Sequence, residues 1–324
     1  MATNPAYRTI LVGVDHSPLS AVALEAAAVL ANRLGTERVC LVRVVERIAV
    51  GWDIAPYGDS GPGFNALWNA AVKGAQDELD ALEFAPSGVR VERSVRVGSP
   101  ARELATEAIE SKADLIIVAS HERKRLARVI IGSVASTLLR VAHCPVLVVG
   151  DDRPCVRKFE RILAAVDLSP VSENVLRNAI AMGARHGASV EVLSLCEPPL
   201  LPSDLPSTTR EDLRDDVDAH RAQVAELIEH ARDPRVPIRP EVFSKAPAHR
   251  AIVDEARVQN ADLVVVGASG HNAWHRFFLG STATRVVIGA LCPVLVVPHD
   301  AALLERDAVQ SRSSATTTET SVDA

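Results

Sequence analysis

The chain has 324 residues, 48% of them hydrophobic and only 3% aromatic, with a formal net charge of -6. That length supports two domains of ordinary size, and the apolar share marks a folded globular protein whose cores are built from Ala, Val, Leu and Ile. The negative balance excludes a dedicated nucleic-acid binder or a polybasic membrane anchor, and no apolar run approaches the roughly 20 residues of a membrane helix.

The N-terminus, residues 1–8, is polar and lacks the apolar stretch of a signal peptide. The five cysteines (Cys40, Cys144, Cys155, Cys196 and Cys292) are odd in number and form no CxxC pair. Four stand in apolar or strand-like contexts, where a free thiol behaves as a small hydrophobe. A reducing, cytoplasmic setting is the expectation.

In chain order, the first apolar segment is Ile10-Leu11-Val12-Gly13-Val14, running into Asp15-His16-Ser17-Pro18. Ala113-Asp114-Leu115-Ile116-Ile117-Val118 follows, then Gly132-Ser133, then Ala142-His143-Cys144-Pro145-Val146-Leu147-Val148-Val149. Three of these landmarks return closely in the second half: Ile162 to Pro170, Ala261 to Val266 and Ala290 to Val297. Asp15 maps to Asp167 and Cys144 to Cys292, so one domain has been duplicated with a small net deletion. A polar stretch, Asp151 to Arg157, links the copies.

In the second copy a strand is expected over Phe159–Val166. A helix follows, with Ser169 as its N-cap, Pro170 at its first position and Gly187 at its end. Val175, Leu176, Ala179 and Ile180 give that helix an apolar stripe. Next come a strand over Ser189–Cys196, a Pro-rich loop from Pro198 to Pro206 and a charged helix over Arg210–Arg232. A strand over Ile238–Phe243, a helix over Ala248–Gln259 and a strand over Leu263–Val266 precede a last helix, Thr282–Ala290, and the strand Pro293–Val297. Strand–helix alternation with right-handed crossovers makes a parallel sheet. The residues from Ala308 to Ala324 are Ser/Thr-rich and expected to be disordered.

The most informative motif is Gly267-Ala-Ser-Gly270, nine residues, then Gly280-Ser281-Thr282. Glycines after a buried strand let backbone N–H groups approach a ligand, and Gly-Ser at a helix start adds donors and the positive end of the dipole. This is a phosphate cradle, and it points to a nucleotide in the second half.

These residues resemble the universal stress protein family, in its tandem two-domain form and over nearly the whole chain. The resemblance implies two doubly wound α/β domains, each a five-stranded parallel sheet of order 3-2-1-4-5 flanked by helices. It implies a degenerate domain at 1–150, a domain with an intact nucleotide motif at 158–300 and a disordered tail at 301–324. In that order the first and fourth strands are neighbours, and their carboxyl ends form the crevice where doubly wound sheets bind ligands. Asp167 and Gly267 fall at those two ends. The implied contacts are Asp167 to ribose hydroxyls or the adenine amino group, and Gly270, Gly280 and Ser281, with Thr282 beside them, to the phosphates. Ala165 and Leu195 are the implied adenine slot. Asp167 also has a local reading, as a cap on the Ser-Pro turn. The implied ligand is ATP, with Mg²⁺ able to arrive on its phosphates.

The first copy departs from the pattern. Asp15, Gly132 and Ser133 remain, but Ala119 and Glu122 stand at the first two glycine positions. Arg123, Lys124, Arg125 and Arg128 then read as a solvated face or as a replacement anion site. The second copy departs once, with Lys245 where the family keeps a glycine.

No Walker A string, kinase catalytic loop, G-x-S-x-G or HExxH occurs, so no catalytic residue is assigned. His121, His143, His271 and His275 form no metal-ligand cluster. The expected function is a non-enzymatic, ATP-binding regulator of a stress response. The alternatives are a nucleotide-independent scaffold or chaperone-like protein, a slow ATPase, and an apolar-ligand carrier built around Trp52, Tyr57, Phe64 and Trp68. The uncharged Cys-Pro-Val-Leu-Val-Val strands are edges that need partners. Pairing Val146–Val149 with Val294–Val297 inside one chain is expected, and homodimerisation is open to the same surface.

Overall fold

The computed structural model describes residues 5–46, 62–120, 132–150, 158–196, 207–243, 247–269 and 279–299. The first half runs β1 (Thr9–Val14), α1 (Leu19–Leu34), β2 (Arg38–Val45), α2 (Pro62–Asp80), β3 (Arg90–Val97), α3 (Pro100–Glu110), β4 (Leu115–Ala119), α4 (Ser133–Val141) and β5 (Val146–Val149). The second half repeats it as β6 (Arg161–Val166), α5 (Ser172–His186), β7 (Ser189–Leu195), α6 (Ser207–Ala231), β8 (Ile238–Phe243), α7 (Ala248–Val258), β9 (Leu263–Gly267), α8 (Ser281–Gly289) and β10 (Val294–Val297).

All ten strands form one sheet, in the order β3-β2-β1-β4-β5-β10-β9-β6-β7-β8. Each half is therefore a parallel 3-2-1-4-5 sheet. The halves join where β5 meets β10 antiparallel, with Leu147 opposite Leu295. The expected pairing of the two Val-Leu-Val-Val strands is thus present, and it turns two edges into the middle of the sheet. These strands are short apolar runs because both of their faces are covered. Leu147, Val149, Leu295 and Val297 enter the core under α1 and α5, while Val146, Val148, Val294 and Val296 enter the opposite core. Both cores run across the junction without a break.

The repeated Ala-Asp pair sets the register within each half. Asp114 Oδ2 accepts from Thr9 N at 2.9 Å. Asp262 Oδ2 accepts from Glu160 N and Arg161 N at 2.8 and 2.9 Å. Each aspartate opens the fourth strand of its half and ties down the start of the first.

Helix ends follow the sequence closely, with one correction. Gly187 caps α5 in the left-handed conformation at φ 68°, as Gly35 caps α1 at φ 69°. Ser169, however, is not the N-cap of α5: Val171 is, and the helix starts at Ser172. The Ser169 hydroxyl is drawn instead to Asp167. The linker at 151–157, the residues after 299, the loop from Pro198 to Pro206, Lys245 and Cys155 lie outside the described residues. Cys40, Cys144 and Cys292 are buried and stand outside any disulfide.

α1 and α5 also meet across the junction. Tyr7, buried at the base of α1, donates from its hydroxyl to Asn178 Oδ1 on α5 at 2.6 Å. Near the other end of α5, His186 is 3% exposed and stacks on Phe159 with centroids 4.6 Å apart. Phe159 N donates to His186 Nδ1 at 3.1 Å, which fixes the neutral ring with its proton on Nε2. Burial, with Arg33 and Lys158 nearby, pushes the His186 pKa down from 6.5 to about 4. An imidazole whose folded pKa is depressed favours folding above its unfolded value, and that contribution is lost as pH falls from 6.5 towards 4. Denaturant unfolding over this window is expected to show a loss on the order of 2 kcal/mol in the native chain. His186→Asn keeps an acceptor for Phe159 N without a titrating group, so its stability deficit at pH 7 should shrink steadily as the pH is lowered.

Candidate functional site

The carboxyl ends of β6 and β9 lie side by side, since Ala165 registers with Val266. β6 ends at Val166, and the chain turns at once through Asp167. Asp167 Oδ1 accepts from Ser169 N and Ser172 Oγ, each at 3.1 Å, and from the Ser169 hydroxyl. Asp167 N donates back to Ser172 Oγ at 3.2 Å. The turn passes through Leu168 at φ 59°, an unusual conformation for a leucine, which these bonds over-determine. Asp167 is exposed, and Oδ2 takes none of these bonds. One oxygen of the carboxylate thus caps the turn, the local reading made from sequence.

The first half builds the same turn. Asp15 Oδ1 accepts from Ser17 N, Ser17 Oγ and Ser20 Oγ at 2.8, 2.6 and 2.9 Å. Sequence reasoning missed Ser20 and Ser172, although Asp-x-Ser-Pro-x-Ser stands in both copies and was the available signal. It also missed Ser194, fully buried beside the site, whose hydroxyl donates to Val166 O at 3.0 Å and meets His220 Nε2 at 2.8 Å. With the hydroxyl proton committed to Val166 O, His220 donates from Nε2.

β9 runs to Gly267. A Cβ built there would stand 2.6 Å from Val171 Cγ1 at the start of α5. Glycine at this point thus has a packing reason independent of any ligand. In the first half Ala119 stands at the matching end of β4, and Leu19, which branches one carbon further out, stands where Val171 does. After Gly267, Ala268 N donates to Val297 O at 2.8 Å, and Ala268 O accepts from Gly280 N at 2.7 Å. This bond holds the start of α8 at the crevice, beside the end of β9. Gly270, His271 and His275 lie outside the described residues.

Gly280 is the N-cap of α8 at φ -58°, ψ 144°, and its carbonyl accepts from Thr284 N at 3.0 Å. The matching Gly132 caps α4 at φ -55°, ψ 145°, so the helix start is the same in both halves. The Gly280 N–H is used by Ala268, which leaves the N–H groups of Ser281, Thr282 and Ala283 as the open, positive end of the helix. Ser281 is exposed and Thr282 half-buried. Ala165 and Leu195 are half-buried and pack on the sheet face that carries α8. The structure therefore gathers Ala165, Asp167, Leu195, Gly267, Gly280, Ser281 and Thr282 at one end of the sheet. Glu122, Arg123, Lys124, Arg125 and Arg128 lie outside the described residues.

The profile of the Universal stress protein family matches residues 6–150 and 158–298. A universal stress protein of Mycolicibacterium smegmatis is 30% identical over 308 residues, covering 89% of this chain and 96% of that protein. One from Mycobacterium tuberculosis is 28% identical over 298 residues, with the same coverage. Among solved structures, a universal stress protein from Archaeoglobus fulgidus superposes with a TM-score of 0.62 at 20% identity, covering 90% of this chain and 99% of that one. A Pseudomonas aeruginosa protein superposes with a TM-score of 0.62 at 22% identity, covering 95% of this chain and 99% of its own.

Gly267→Ala should lower the stability of the chain by about 1–3 kcal/mol through overpacking against Val171. Val171→Ala in the same chain should recover most of that loss. A double-mutant cycle by chemical denaturation reads the coupling, and purely additive effects would mean that the contact is not the reason for the glycine.

Proposed function

The chain belongs to the universal stress protein family, and within it we propose a non-enzymatic regulator that binds ATP in its second domain. The observation that carries this reading is the junction of three elements at one point. The Asp167 turn ends β6, Gly267 ends β9 beside it, and the Ala268–Gly280 bond holds the start of α8 at the same crevice. In this reading Asp167 Oδ2 accepts from ribose hydroxyls, Ala165 and Leu195 flank the base, and Ser281 and Thr282 hold phosphate at the positive end of α8. Mg²⁺ travels with the phosphates. Nucleotide occupancy then shifts the protein to the extent that ATP binds one of its conformations better than another.

A nucleotide-independent scaffold is the second reading, and one observation favours it: Val171 already accounts for the glycine at 267. Ser281→Asp separates the two. A carboxylate in the first turn favours the helix, so folding should be unaffected or improved, while the added charge repels phosphate. Calorimetric titration of nucleotide-stripped protein should give one ATP site per chain. The variant should weaken ATP by about tenfold or more, with adenosine affinity little changed. Absence of ATP binding by the stripped native chain would leave the scaffold reading.

A further inference from the structure

The first domain has a cleft of about 680 Å³, partly open to solvent, at the carboxyl ends of β1, β2 and β4, a size typical of small-molecule sites. Its wall has two chemistries. On the α3 and α4 side it is apolar, with Leu104, Val118, Val134 and Ala135 near Gly13. On the α2 side Ala71, Gly74 and Ala75 leave room beside a charged group, Arg43 with Glu78 and His16.

Arg43 lies on β2, only 8% exposed. Its Nη1 pairs with Glu78 Oε2, and its Nη2 lies 3.0 Å from His16 Nδ1. His16 Nδ1 is in turn 3.1 Å from the same Glu78 oxygen. The Glu78 side chain is 55% exposed, so the counter-ion of a buried cation sits where it can turn to water. At the matching register position of the second domain stands Ser194, which binds His220.

Among the described lining residues Asp15, Glu46 and Glu78 are acidic, while Arg43 is basic and His16 titratable. A polyphosphate entering here meets net repulsion from those groups. A single carboxylate is repelled far less than a polyphosphate, and it can replace Glu78 on Arg43, exchanging one ion pair for another. For a cationic head, Glu78 is committed to Arg43 and Asp15 Oδ1 to Ser17 and Ser20, while Glu46 is exposed and so screened by water. We propose that the first domain binds an apolar monocarboxylate, with its acid group on Arg43 and its hydrocarbon body against Leu104, Val118 and Val134. The sequence reading of an apolar-ligand carrier rested on Trp52, Tyr57, Phe64 and Trp68; Trp52 and Tyr57 lie outside the described residues, and the α2 residues that line the cavity are Ala71, Gly74, Ala75 and Glu78. The proposal does not depend on the second domain binding ATP.

The test is calorimetric titration of the full chain with octanoate, octylamine and ATP. The native chain should bind one octanoate, unaffected by Ser281→Asp and not displaced by ATP. Glu78→Gln removes the competing carboxylate and should tighten octanoate by about tenfold, an effect that a merely structural role does not produce. Arg43→Gln should weaken it by about tenfold or more. Glu78 is half-exposed, so its variant should fold, and the tightening decides the matter even if Arg43→Gln does not fold. No octanoate binding, no tightening in Glu78→Gln, tighter binding of octylamine, or displacement by ATP would each overturn the proposal.

Discussion

Val146–Val149 and Val294–Val297 carry no charge and would be two exposed sheet edges if the halves stood apart. Laid antiparallel against each other, they pair Val146–Val148 with Val294–Val296, so that neither strand is left as an edge. The rest of the molecule depends on this pairing. It makes one ten-stranded sheet from two five-stranded ones, merges the cores on both faces, and brings α1 against α5 so that Tyr7 and Asn178 can bond. Because the strands are antiparallel, the halves are related by a pseudo-two-fold axis, and their two crevices are equivalent places in an otherwise repeated frame.

Duplication lets the two crevices diverge while the frame stays the same. Both keep the aspartate turn and the glycine-capped helix start, with cap angles that agree to within a few degrees. They differ in what surrounds those parts. In the second domain a glycine ends β9 and a serine–histidine pair sits behind the turn. In the first an alanine ends β4, and a buried arginine with an exposed counter-ion occupies the space under α2. Backbone devices are shared because the sheet imposes them. Side chains at the strand ends point into the crevices and can change without disturbing the ladders.

Much of this was legible in the sequence, for identifiable reasons. Buried parallel strands must be apolar runs, so the strands of the second half could be placed to within a residue or two. The repeated Ala-Asp, Asp-x-Ser-Pro and Cys-Pro-Val-Leu-Val-Val segments are repeated because each serves the backbone: the first sets register, the second caps a turn, the third joins the halves. Ser169 was misread because a serine before proline is a good helix cap in isolation. Here Ser169 lies in the turn that follows Leu168, its hydroxyl donates to Asp167, and the helix starts three residues later at Ser172.

The sequence by itself determined the duplication, the strand and helix order, and the residues that gather at the second crevice, because these follow from local patterning and from a repeat that needs no coordinates to see. Only the tertiary structure decided why Gly267 must be small, which oxygen of Asp167 is committed, and that Arg43, Glu78 and His16 meet beside a cavity. Each of these depends on side chains from elements far apart in the chain. Val171 reaches Gly267, and α2 reaches β2, only after the sheet has ordered the strands, so no spacing along the sequence records the contact.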